Sequence, residues 1–131
     1  MTPVALILAG IAGLLHVLFF TLESLRWREP STWRTFGLTS QADADTTAPL
    51  AYNQGFYNLF LAIGTFVGIA VVAFADSHDT IGWTLVVFAC SSMLAAAAVL
   101  ISTGASYARA AAIQGIPALL AVVTSLLAAT G

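Results

Sequence analysis

The chain has 131 residues, of which 60% are hydrophobic and 8% charged, against roughly 25% charged in an ordinary soluble domain. A mean hydropathy of +0.95 points the same way, so a water-soluble globule is excluded and a lipid-embedded chain is expected. The net charge of −2, with four Arg and no Lys, leaves no basic patch for nucleic acid, and the lone Cys90 excludes an intrachain disulfide.

A spanning helix takes about 20 apolar residues. Four spans with short links therefore nearly fill the length. The expected fold is an all-α integral membrane four-helix bundle, in one domain, with spans near residues 3–25, 50–75, 80–101 and 107–128. Thr2 and Pro3 suit the cap and first position of the first helix. That run has no basic residue before it and is long for a signal core, so it reads as a retained span. Its strongly polar residues are His16, Thr21, Glu23 and Ser24, and Gly10 and Gly13 permit close helix contact. Arg26, Trp27 and Arg28 end it at a membrane surface.

Residues 27–49 form the one long connection. Within it, Glu29 to Gly37 predicts a short interfacial helix, with Pro30 near its start and Gly37 past its end. Trp33 and Phe36 would face lipid or fold over the bundle as a lid. Gln41 to Pro49 is polar and reads as turns. The second span follows, carrying a Gly64/Gly68 pair that suits helix contact. Asp76, Ser77, His78 and Asp79 read as a solvated turn, with too few ligands for a metal site. The third span is rich in Ala and Ser, which predicts tight packing. The fourth contains Pro117, a candidate kink. Met93, Phe60 and Phe66 read as packing or lipid-facing residues.

Arg26, Arg28 and Arg34 lie in the first connection and Arg109 at the start of the fourth span. Those regions share one side of a four-span topology. The positive-inside rule puts that side in the cytoplasm and both termini outside.

The polar residues of the spans are then expected at one level. His16 lies seven residues before Glu23, roughly 10 Å deeper on the same helix face. Asn53, Gln54, Tyr57 and Asn58 open the second span, and Gln114 sits one to two turns into the fourth. A carboxamide in hydrocarbon costs several kcal/mol unless it is hydrogen-bonded, so these groups are expected to face each other in a pocket. Each also has a purely structural use. Glu23 can snorkel or pair with Arg26 or Arg109. His16 can bond a carbonyl or Asn58. The amides of Asn53, Gln54, Asn58 and Gln114 can serve as interhelical glue, and Tyr57 can fill a packing gap. The chemical alternative makes His16, Glu23 and Tyr57 the catalytic acid/base groups and the four carboxamides the substrate-binding ones. His16 is also the axial ligand of choice should haem bind; covalent attachment is excluded, since there is no CxxCH motif.

His16, Glu23, Trp27, the Phe36-Gly37-Leu38 triplet, the string Asn53-Gln54-Gly55-x-Tyr57-Asn58-x-Phe60-Leu61-Ala62 and Gln114-Gly115-x-Pro117-Ala118 together resemble an uncharacterised bacterial family. It is the domain-of-unknown-function family numbered thirteen-oh-four, of small four-span integral membrane proteins. The resemblance covers almost the whole chain. It implies the fold and the membrane location, and no activity.

Two functions from different classes fit the residues. One is an intramembrane enzyme of isomerase or hydrolase type for a small lipophilic substrate bearing oxygen. The four-span haem-binding epoxide isomerases are an analogy of size only. The other is a proton-coupled exporter similar to small multidrug-resistance transporters, which form homo-oligomers. Glu23 departs from that pattern by sitting near the end of its span. A non-catalytic partner subunit is the third reading.

Overall fold

A computed structural model describes residues 1–75 and 79–130; the expected turn at Asp76, Ser77 and His78 lies outside the described residues. The protein is an all-helical membrane bundle. In chain order the helices are α1 (Thr2–Phe20), α2 (Pro30–Thr35), α3 (Gln41–Phe74), α4 (Asp79–Ser102) and α5 (Ala108–Thr130). A π-helical turn, Thr21–Leu25, continues α1, and a 3-10 turn, Ala105–Tyr107, leads into α5. Four helices, counting those turns, are long and apolar enough to cross a membrane.

The chain divides into two compact units, residues 1–15 with 61–131 and residues 16–60. The first unit is built from segments of all four long helices. Its core is Ala9, Ala12, Val86, Cys90, Met93, Ala118 and Ala121, fringed by Leu8, Leu61, Ile69, Leu94 and Val122. Small side chains dominate because apolar burial gives helices no advantage inside lipid, so backbones gain by approaching closely. The closest approach is at Gly68 and Gly82. A Cβ on Gly82 would stand 2.8 Å from the Gly68 carbonyl oxygen, and one on Gly68 would stand 2.9 Å from that of Gly82. Gly64 meets only an ordinary contact with the Ala89 methyl at 3.9 Å. Of the two N-terminal glycines, Gly13 lies against the Phe66 ring, while Gly10 has nothing within 4 Å and does not serve a helix contact. Helix α5 continues through Pro117.

Several hydroxyl side chains inside the helices satisfy themselves locally, whereas the fully buried Ser125 Oγ of α5 has no hydrogen-bond partner among the described residues. Thr65 donates to the Leu61 carbonyl at 2.9 Å, Ser92 to Phe88 at 2.8 Å and Thr124 to Leu120 at 2.7 Å. Back-bonding of this kind lets Ser and Thr sit in hydrocarbon without an outside partner.

The second unit holds the end of α1, α2 and the first part of α3. The short helix expected in the connection is α2, with Pro30 at its first position. It ends as the sequence predicts: Gly37 takes φ +84°, its amide donates to the Arg34 carbonyl and the Leu38 amide donates to the Trp33 carbonyl. This paired closure uses the left-handed conformation that glycine adopts without strain. Trp33 does not face lipid: it is buried, and its indole N–H donates to Gln41 Oε1 at 3.2 Å. The Phe36 ring packs on Trp27 with centroids 5.0 Å apart.

The stretch expected as turns, Gln41 to Pro49, is helical. A capping arrangement at Ser40 starts this helix ahead of the apolar run. Ser40 Oγ accepts from the Asp43 amide at 3.1 Å and donates to the Asp43 carboxylate at 2.7 Å, satisfying one of the free N–H groups at the helix start. The 34 residues of α3 span about 51 Å, well beyond the ~30 Å hydrocarbon core. Replacing Ser40 with Ala should cost about 1 kcal/mol of helix-end stability. Faster hydrogen exchange at the Asp43 amide than in the native protein is the expected readout, and unchanged protection would contradict the cap.

Candidate functional site

The site grows from an irregularity in the first membrane helix. At Thr21–Leu25 the helix widens by one residue, closed by the Arg26 amide donating to the Thr21 carbonyl at 3.0 Å. Such π-turns occur often at functional sites, because they turn a side chain out of register with its own helix. Here the turn carries Glu23 and Ser24. Ser24 Oγ donates to the Tyr52 carbonyl at 2.8 Å. That bond requires α3 to come very near, and Gly55 allows it: a Cβ there would strike Ser24 Oγ and lie 3.0 Å from the Ser24 backbone nitrogen.

The next turn of α3 then brings up Asn58. Its Nδ2 donates to Glu23 Oε2 at 2.6 Å, a short bond. Asn58 is buried and Glu23 partly so. Arg26 does not take the Glu23 carboxylate. Arg26 is held by Glu29, with Nη2 2.6 Å from Oε2, and this bond from Arg26 keeps the Glu29 carboxyl below the usual carboxylate range. Aromatic contacts join α1 and α3 next to these residues in the chain: Phe56 packs against Phe20 at 5.1 Å and Tyr52 at 5.0 Å.

Beside the carboxylate lies a cleft of about 360 Å³ lined by Glu23, Ser24, Trp27, Arg28, Pro49 and Tyr52, among others. The cleft is half open, and its volume falls at the lower end of small-molecule sites, roughly 300–1,000 Å³. Its rim is fixed by Trp27, whose indole N–H donates to the Ala44 carbonyl at 3.1 Å and lies 3.2 Å from Thr47 Oγ1.

The residues singled out from sequence divide clearly. Glu23 and Asn58 are brought together. His16 is fully buried, with its ring edge-on to Phe19 at 5.4 Å, and it is not among the cleft residues. Asn53 and Gln54 are exposed, and so is Tyr57 at 54%; none of the three lines the cleft. In the four-helix unit, Gln114 Nε2 donates to the Met93 carbonyl at 3.4 Å. Among the described residues no group of three His, Cys, Asp or Glu could hold a metal ion. Arg28, Tyr52 and Gly55 went unrecognised as site residues. The one signal was a glycine within the polar opening of the second span, where a close approach of another backbone is a standard reason.

A π-turn carboxylate, its Asn partner and the α2 closure all fall on positions through which one family model runs. The model of a protein of unknown function, DUF1304, matches residues 10–126. The chain belongs to the DUF1304 family. No curated protein and no solved structure matches it. For this DUF1304 protein the geometry therefore has to speak for the chemistry. A half-buried carboxylate has one oxygen engaged by an amide, and its other oxygen, Oε1, takes no hydrogen bond among the described residues. It can exchange a proton with a small molecule in the cleft.

Proposed function

We propose that this DUF1304 protein is an intramembrane acid/base enzyme, of isomerase or hydrolase type, for a small lipophilic substrate bearing oxygen. The observation that carries the reading is Glu23, turned out by the π-turn, oriented by Asn58 at 2.6 Å and standing in the wall of a substrate-sized cleft. Glu23 Oε1 removes a proton from the carbon beside a carbonyl, or from a water that opens an epoxide, and returns it to the product. Asn58 is a positioning residue: its amide must present its N–H to the carboxylate, which fixes the rotamer of both. His16 and Tyr57 do not line the cleft, so the chemistry is assigned to Glu23.

The exporter reading uses the same carboxylate. Arg28 on the cleft wall weighs against it for the cationic cargo such exporters carry, since a like charge beside the binding site repels it. The arginine distribution further supports a topology with both termini outside and the cleft on the cytoplasmic side.

The test uses full-length protein in lipid nanodiscs, offered lipophilic ketones and epoxides in deuterated water. Deuterium uptake next to the carbonyl, or ring-opened product, is read by mass spectrometry. Glu23→Gln should slow the active reaction by about 10²–10⁴-fold. Equal rates in the two proteins, or no turnover of either substrate class, would overturn the reading.

A further inference from the structure

The three arginines around the second unit are not equivalent. Arg26 is consumed by Glu29, which takes both Nε at 3.0 Å and Nη2 at 2.6 Å. Arg34 lies over the Trp33 ring, 5.1 Å from its centroid. Arg28 lines the cleft, and its only ion pair is a looser contact of Nε with Asp45 Oδ1 at 3.5 Å. Both side chains of that pair are largely exposed, and exposed pairs hold weakly. The terminal nitrogens of Arg28 make no hydrogen bond among the described residues.

The backbone beneath Arg28 is nevertheless built in place. Gln41 Nε2 donates to the Arg28 carbonyl and to Asp45 Oδ1, both at 3.3 Å. Gln41 Oε1 in turn accepts from the buried Trp33 indole at 3.2 Å. An arginine whose backbone carbonyl is held by Gln41, itself tied to Asp45 and Trp33, yet whose guanidinium fork is turned loose at a cleft, suits a planar oxyanion, which accepts two parallel N–H bonds from it. Apart from Glu23, Ser24 and Arg28, the walls of the cleft are Leu25, Trp27, Ala48, Pro49 and Tyr52, which suit a hydrocarbon chain.

We propose that the ligand of this cleft is a single-chain amphiphilic carboxylate, its head paired with Arg28 and a second oxygen function placed at Glu23. This deepens the acid/base reading and rests on it. The cleft then selects its substrate by charge at one end and acts on it at the other. An anionic phospholipid offers the same oxyanion chemistry, and the experiment separates the two.

Full-length protein in phosphatidylcholine nanodiscs is photolabelled with diazirine-tagged decanoate, the matching decanol and tagged phosphatidylglycerol, at a pH where the acid is ionised. Mass spectrometry reads labelling of residues 48–52. Decanoate should label that segment about two- to fivefold more than decanol, the range for an ion pair at a largely exposed guanidinium. Arg28→Gln should remove the difference, Asp45→Asn should increase it by freeing the guanidinium, and Arg34→Gln should leave it unchanged. Equal labelling by acid and alcohol overturns the proposal, as does a preference that survives Arg28→Gln. Labelling by phosphatidylglycerol in place of decanoate also overturns it. If Arg28→Gln does not fold, an unchanged ratio in Asp45→Asn is decisive against it. Should neutral probes label as well as decanoate while Glu23-dependent turnover persists, the charge selection fails and the acid/base reading survives. Should no probe label the cleft, this proposal fails, and the acid/base reading falls only if ketones and epoxides also go unturned.

Discussion

Gly82→Ala should destabilise the four-helix unit by about 3 kcal/mol, the upper end of the cost of overpacking a core. The added methyl would stand 2.7 Å from the Val72 nitrogen and 2.8 Å from the Gly68 carbonyl oxygen. Both are backbone atoms of α3, so no rotamer change can make room. The helices must separate, and the contacts flanking the crossing are stretched with them. Gly10→Ala is the matched control, since nothing lies within 4 Å of its added Cβ. That change should be neutral or stabilise by about 0.5–1 kcal/mol, because alanine favours the helix. Thermal unfolding in detergent micelles compares the two. If they melt alike, the backbone crossing at Gly68 and Gly82 is wrong.

Asn58→Leu should have a different signature. It strips the Glu23 carboxylate of its only hydrogen-bond donor among the described residues. The loss should be about 1.5–3 kcal/mol if the carboxylate stays charged, the range for bonds to ionised groups. That exceeds the ~0.6 kcal/mol average for interhelical hydrogen bonds in membranes, because most of those join neutral groups. Glu23→Gln changes the sum. With the charge gone, the second substitution leaves a neutral amide and not an orphaned carboxylate. The Glu23→Gln/Asn58→Leu double variant should therefore be destabilised by less than the two single changes added together. A double-mutant cycle on unfolding free energies measures this coupling. Strict additivity would mean that the 2.6 Å bond does not operate in the membrane. Turnover separates position from stability: Asn58→Leu should lower the rate even under conditions where it remains folded, because the carboxylate is free to swing away from the cleft.

The first prediction turns on glycines that the sequence marks unequally. Gly64 and Gly68 form a pair that reads as a helix-contact motif, yet only Gly68 lies at the crossing, opposite Gly82. Spacing places small residues on one face, but the depth and angle of crossing select which of them meets a backbone. Gly10 and Gly13 repeat the lesson, since only Gly13 has a neighbour, Phe66. In the candidate site, Glu23 and Asn58 were legible because polar groups in hydrocarbon need partners. Asn53, Gln54 and Tyr57 share their segment and do not share the cleft. A helix presents all directions in every turn, and a run of polar residues cannot say which direction is inward.

Composition by itself determined that this chain spans a membrane, and runs of apolar residues determined four helices. Pro30 and Gly37 determined the bounds of α2. These outcomes are local: transfer of apolar side chains from water, and backbone conformations open to proline and glycine, act over a few residues at a time. Only tertiary structure decided that α1 ends in a π-turn, that Ser24 fastens this turn to the Tyr52 carbonyl, and that Glu23 thereby meets Asn58. Widening a helix by one residue is unfavourable in isolation and persists where a partner rewards it. That partner lies 28 residues away along the chain, beyond the reach of any local pattern.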